Sequence, residues 1–241
     1  MAPIARRQTQ KVHQKGRQTK KVRRTGRLHQ CQCLSTCKQA SLKGKAFCAE
    51  HMKSCPTDPA LSGWEPLYDP GFWNKKMKLR ETHNCFSYAM NVRDPKQMNQ
   101  CRDNNDCNVP FHQPGSPSKY PMFKSSKPKT CPNMIMRLMG DNPNLQMATF
   151  EDKCPAKSSK IALVVDQSDD YHFLRQDNSG YWSQKSGARP VTNLDASKHE
   201  IWNPQLCDLN YTRDNNGVLN YDVFCGFLCV PRTEKLFMKS S

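Results

Sequence analysis

The sequence lacks a long apolar run. Its longest purely aliphatic run, Ile161–Asp166 (IALVVD), is far too short to cross a bilayer. The opening residues, MAPIARRQTQ, have no apolar stretch behind their charges, which argues against a secretory signal. Acid is missing from residues 1–30, which hold ten of the chain's 37 Lys and Arg. Apolar residues are scarce, 36% of 241, low for one compact globule yet too high for a wholly disordered chain. The formal charge of +16 is concentrated in the first eighth of the chain. An evenly basic fold is therefore excluded, and an ordinary domain behind a cationic arm is expected.

The arm, residues 1–30, is a tandem repeat: RQTQKV at 7–12 returns as RQTKKV at 17–22. It has no apolar periodicity and cannot bury a core. Cations strung along such a segment neutralise phosphates and release counterions without reading sequence. Arg7, Lys11, Arg17, Lys21, Arg23 and Arg24 are the candidate contacts to nucleic acid or another polyanion.

The 13 cysteines, in a chain read as lacking an export signal, are expected to be reduced, with some bound to metal. Residues 31–55 read CQCLSTCKQASLKGKAFCAEHMKSC. The spacing Cys31-x5-Cys37-x10-Cys48-x2-His51 supplies two ligand pairs separated by a loop, and tetrahedral zinc favours such Cys/His sets. Cys48 and His51 lie about one helical turn apart, so both can point at one ion. Gly44 provides a turn before that pair. A segment with so few large apolar side chains needs a metal to fold. Cys33 or Cys55 could replace Cys31 as a ligand. Cys101-x5-Cys107, with His112 and Cys131 downstream, is a weaker second candidate inside a proline-rich region.

Beyond residue 56 the pattern predicts α+β order. Residues 56–75 form an irregular strap anchored by Trp64, Tyr68 and Trp73. A helix starts near Thr82 or Asn84 and ends before Pro95, which puts Cys85 in its first turn, where a helix N-terminus favours thiolate. Strands follow at IALVVD, at YHFLRQ (171–176), at GYWSQK (180–185) and at YDVFCGFLCVPR (221–232). DNSG signals a hairpin, and Gly226 suggests a bulge. In YHFLRQ, alternation puts His172, Leu174 and Gln176 on one face and Tyr171, Phe173 and Arg175 on the other.

Two resemblances rest on these strings. The segment CxxxxxC…GxxFCxxH, ending at His51, resembles short modules that recur in proteins of large DNA viruses. The order of a helix opened by cysteine, then a strand carrying histidine, resembles papain-like and NlpC-type thiol hydrolases. HNCFSYAMN, DYHFLRQDNSGYWS and NYDVFCGF are similar to an uncharacterised viral and bacterial family with this organisation. The resemblance implies a papain-like fold with Cys85 as nucleophile and His172 as its base. The third polar residue would be Gln184, with Asn193 or Asp195 as alternatives. Asn84-Cys85 stands where NlpC-type enzymes carry an acidic residue before the cysteine.

Together these readings predict a basic arm (1–30), a zinc module (31–55) and a papain-like α+β domain (56–241). The expected function is a thiol hydrolase of a large DNA virus, located in the virion or in host cytoplasm or nucleus and not secreted. Nucleic acid and other virion proteins are its expected partners. The alternative is a non-enzymatic virion or DNA-associated protein on a degenerate hydrolase fold.

Overall fold

The computed structural model describes residues 29–55, 59–101, 107–123, 128–213 and 217–240. The six candidate arm cations, Arg7 to Arg24, lie outside them. The described helices are α1 (His51–Ser54), α2 (Pro70–Lys75), α3 (Met77–Thr82), α4 (Cys85–Ala89), α5 (Pro95–Asn99) and α6 (Cys131–Asp141). The strands are β1 (Gln146–Ala148), β2 (Ser158–Val165), β3 (Tyr171–Gln176), β4 (Trp182–Lys185), β5 (Val191–Thr192) and β6 (Val223–Pro231). They form one antiparallel sheet in the order β1-β6-β2-β3-β4-β5. Mixed helix and antiparallel sheet is the expected α+β class. Among the described residues no helix is long and apolar enough to cross a membrane.

Local chemistry accounts for the elements that position the candidate residues. Asn84 caps α4, its side chain accepting from the Ser87 N–H at 3.1 Å, so the helix begins at Cys85 as predicted. β2 is buried along its whole length, the polar Ser158, Ser159 and Lys160 as well as the apolar run that follows them. The β3–β4 turn closes on Gly180 at φ +84°, where a Cβ would collide with the Pro59 ring. In β6 the register against β2 slips between Leu163 and Val164, which face Gly226 and Phe224; this is the bulge expected at Gly226, with φ +139°.

Both faces of the sheet are covered. On one, Phe86, Ala89 and Met90 of the α4 segment and Met134 and Leu138 of α6 pack on Tyr171, Phe173, Ile161, Leu163 and Leu228. On the other, Ile201, Cys207, Leu209 and Tyr221 from the long 193–222 segment pack on Ala162, Val164, Leu174, Trp182 and Phe227. Arg175 ties α4 to the sheet. Its guanidinium lies over the Tyr88 ring, 4.0 Å from its centroid, donates to Tyr88 Oη at 2.8 Å and pairs with buried Asp177 at 2.9 Å. A buried charge so fully bonded is costly to disturb, because removing one partner strands the other.

Two expectations, on Trp64 and on the state of the cysteines, are corrected here. Trp64 is no anchor: it is exposed, whereas Trp73 is buried in α2 and Tyr68 reaches Asn193. Residues 131–141 are helical. Pro132 sits in the first turn of α6, where its missing N–H costs nothing. The cysteines are not uniformly reduced, for disulfides join Cys33–Cys55, Cys101–Cys107, Cys131–Cys225 and Cys154–Cys229. Two of these consume Cys101, Cys107 and Cys131, so the second metal candidate is not assembled.

Candidate metal centre and the predicted catalytic residues

Residues 31–55 fold around their cysteines. A bridge between Gln30 and Ala40, and the hydrogen bond from Gln32 N to Ala46 O at 2.8 Å, bring the two ligand pairs together. Gly44, at φ +75°, makes the turn between them. Met52 N donates to Cys48 O and starts the helical turn that aims His51 at the cluster. The result is a four-residue group, Cys31, Cys37, Cys48 and His51, whose ligand atoms all lie within 4.8 Å of one another. His51 Nδ1 stands 3.4 Å from Cys31 Sγ and 3.3 Å from Cys48 Sγ. Ligand bonds of ordinary length around a tetrahedral ion set such S···N separations near ~3.5 Å. The cluster can therefore hold a metal ion. Burial pushes the Cys31 thiol up to about 11, and crowding by Cys48 and Cys37 adds to it. A cation is what would stabilise three thiolates at this spacing.

The open choice among ligands is resolved by chain direction. Cys33 points away from the cluster and pairs with Cys55, so the disulfide ties the two ends of the module together while Cys31 faces inward. The module is also seated on the larger domain. Gln32 is buried; its Oε1 accepts from Trp202 N at 2.7 Å and Asn203 N at 3.1 Å, and its Nε2 donates to Glu200 O. Phe47 meets Trp202 edge-on at 5.4 Å.

The predicted catalytic residues are divided by the sheet. Cys85 lies in the core cluster with Phe86, Tyr171 and Phe173, on the α4 side. His172 occupies the opposite face of β3, stacked on Tyr221 at 5.2 Å. Its Nε2 lies 2.9 Å from Gln184 Oε1, so the hairpin register does bring Gln184 to His172 as expected. Gln184 is in turn bonded to Leu194 O and Tyr211 Oη. Asp195 is elsewhere: its carboxylate accepts from the N–H groups of Ser197, His199 and Asp208 and braces that turn. Asn193 meets Tyr68. The structure thus unites His172 with Gln184 and brings neither to Cys85. Burial, reinforced by the charge of Asp170, pushes the Cys85 thiol up to about 12, against opposing backbone hydrogen bonds. Burial lowers His172 to about 4. A thiolate–imidazolium pair needs both shifts in the other direction.

A second buried histidine has the same character. His83 contacts Thr82 Oγ1 and accepts from Asp94 N, and burial lowers it to about 4. Both histidines fold neutral and are protonated near 6.5 when unfolded. Between about pH 6.5 and 4 the unfolded chain takes up protons that the folded chain refuses, so stability falls as pH falls, by up to about 3 kcal/mol per histidine. Urea unfolding at pH 7 and pH 4.5 should show this loss. A His172→Gln variant should lose less between the two pH values than the wild type.

No family model matches the chain, and no solved structure matches it. Insoluble matrix shell protein 1 of Ruditapes philippinarum is 52% identical over 48 residues, which are 20% of this chain and 32% of that protein. The similarity thus spans about a third of that relative's length.

Proposed function

We propose that this chain is a non-catalytic structural protein, a cross-linked component of an extracellular matrix. The observation that carries the reading is the separation of Cys85 from His172 by the sheet, with both side chains buried. A cysteine opening a helix that packs on an antiparallel sheet keeps part of the layout of a thiol hydrolase, while His172 lies on the other face of the sheet from the thiol. A degenerate hydrolase fold reused as a scaffold accounts for both features. Four disulfides suit an oxidising compartment, in contrast to the host cytoplasm or nucleus expected earlier. The partial likeness to a shell matrix protein favours a matrix over a virion. The ion in the Cys3His cluster is zinc in this reading, because three thiolates and one imidazole suit that metal, and its role is to brace the module.

Iodoacetamide treatment of the intact protein at neutral pH tests the central point. Cys85 should be modified no faster than the buried Cys207, and His172→Ala should leave the Cys85 rate unchanged while the protein stays folded. Rapid labelling of Cys85 that slows in His172→Ala would restore the hydrolase.

The arm supplies the partner contact in this proposal, a polyanion held by charge. Deleting residues 1–28 should lower affinity for a polyanion such as heparin or DNA and flatten its dependence on salt. Equal affinity and equal salt slope after deletion would remove the arm from this role.

A further inference from the structure

We propose that the cleft between the metal module and the sheet is a binding site for a neutral saccharide. The cleft has a volume of about 610 Å³, within the ~300–1,000 Å³ range of small-molecule sites, and it is open to solvent. Several parts of the chain meet there: the 33–35 turn of the metal module, residues 59–60, the loop that follows β1, and the 202–206 segment beside the bulged part of β6. Cys85 is not among its residues, so the site stands independently of any thiol chemistry.

Its lining combines two kinds of surface. Phe150, Trp202 and Phe224 contribute aromatic rings, with Phe150 and Phe224 half-buried and therefore partly presented to the opening. Phe150 is packed edge-on to Trp202 at 6.3 Å, and Phe224 leans on Phe227 at 4.9 Å, so the rings are fixed before a ligand arrives. Beside them stand side chains with neutral hydrogen-bonding groups. Asn203 uses its Oδ1 to accept from Gln205 N at 2.9 Å, which leaves its amide N–H groups for a ligand. The Gln205 side chain is exposed at the edge.

Charge selects among ligand classes. Among the described lining residues the acidic and basic side chains are Glu151 and Lys153, one of each sign. A single-stranded nucleic acid needs a cationic groove beside its stacking rings, and this cleft has no net charge to offer. A wholly apolar ligand would leave the amides facing it without partners. A sugar ring matches both surfaces: its axial C–H groups pack on an aromatic face, and its equatorial hydroxyls exchange hydrogen bonds with carboxamides.

The supporting contacts hold the lining in place. Lys160 reaches from β2 to donate to Phe150 O at 2.6 Å and Asp152 O at 2.7 Å, which pins the loop that carries Phe150. From the other side, Gln32 holds Trp202 N and Asn203 N from within the metal-ligand loop. Both aromatic and amide groups are thereby set by buried polar side chains, as a preorganised site requires.

The test is a titration of the full-length, metal-loaded protein with three soluble hexasaccharides: β-1,4-linked glucose, β-1,4-linked N-acetylglucosamine and α-1,4-linked glucose. Calorimetry and tryptophan emission are the readouts, with Trp202 as reporter. At least one should bind saturably with Kd below about 1 mM, and binding should persist at high salt. Phe224→Ala and the exposed-edge variant Gln205→Ala should each weaken it about tenfold without shifting the unfolding temperature by more than a few degrees. Failure of all three sugars to bind would overturn the proposal. So would binding that both variants leave unchanged, or binding confined to a sulfated polysaccharide and abolished by salt.

Discussion

Stripping the metal from the purified protein with a chelator, or the substitution Cys48→Ser, should unfold residues 31–55 while the sheet survives. The module is poor in core: its own buried apolar side chains are few, and one wall of its cluster is Trp202 of the larger domain. Its three thiols and one imidazole converge on a single point, and without a cation nothing draws these groups together. Zinc-finger peptides gain roughly 10–16 kcal/mol of apparent binding energy at neutral pH, most of which is folding energy. The intact protein should carry one equivalent of zinc, and its loss should be visible as a change in tryptophan emission because Phe47 leaves Trp202. Native emission and protected amides in the metal-free protein would show that the cluster is not a structural centre. So would a disulfide among Cys31, Cys37 and Cys48 in the freshly purified chain.

Reduction of the disulfides should act on the other part of the molecule. Cys131–Cys225 closes a sequence separation of 94, and Cys154–Cys229 one of 75. By the chain-entropy relation each is worth about 4–5 kcal/mol against the unfolded chain. Domains are stable by roughly 5–15 kcal/mol in all, so losing both leaves little. The paired substitution Cys131→Ser with Cys225→Ser should lower the unfolding temperature by roughly 10–20 °C in calorimetry, if the full entropic value is realised. The pair Cys154→Ser with Cys229→Ser should act to a similar extent. A non-thiol reductant should reproduce the combined loss. No shift on reduction would mean that packing of α6 on the sheet suffices without the covalent link.

The two cross-links fasten opposite faces, and β6 explains why. Cys225 packs toward the helices, while Cys229 stands opposite Lys160, whose ammonium reaches Phe150 on the other side. Strict alternation would put residues 225 and 229 on one face. The bulge at Gly226 inserts one residue between them and reverses the alternation.

Much of this was legible locally. Tyr171–Gln176 forms the strand predicted at those residues, because its alternation and the DNSG turn leave few other conformations. Cys85 opens its helix because Asn84 can cap it. Cys37, Cys48 and His51 meet because their spacing and the Gly44 turn lie within one short segment. The His172–Gln184 contact, by contrast, depends on a hairpin register, Leu174 opposite Gln184, that the turn residues leave open.

What the tertiary structure alone decided was which face meets which partner. Alternation assigns His172 and Phe173 to opposite faces, yet nothing within the strand says that α4 will lie on the Phe173 side. That choice comes from Phe86 packing on Phe173 and Arg175 bonding Tyr88, contacts between segments more than 80 residues apart. The cysteine partners depend likewise on β6 lying between β1 and β2, which carries Cys225 to Cys131 and Cys229 to Cys154. Periodicity and capping act over a few residues and can be read along the chain. Strand order and face selection are settled by the summed burial of distant side chains, and with them whether Cys85 and His172 share a face.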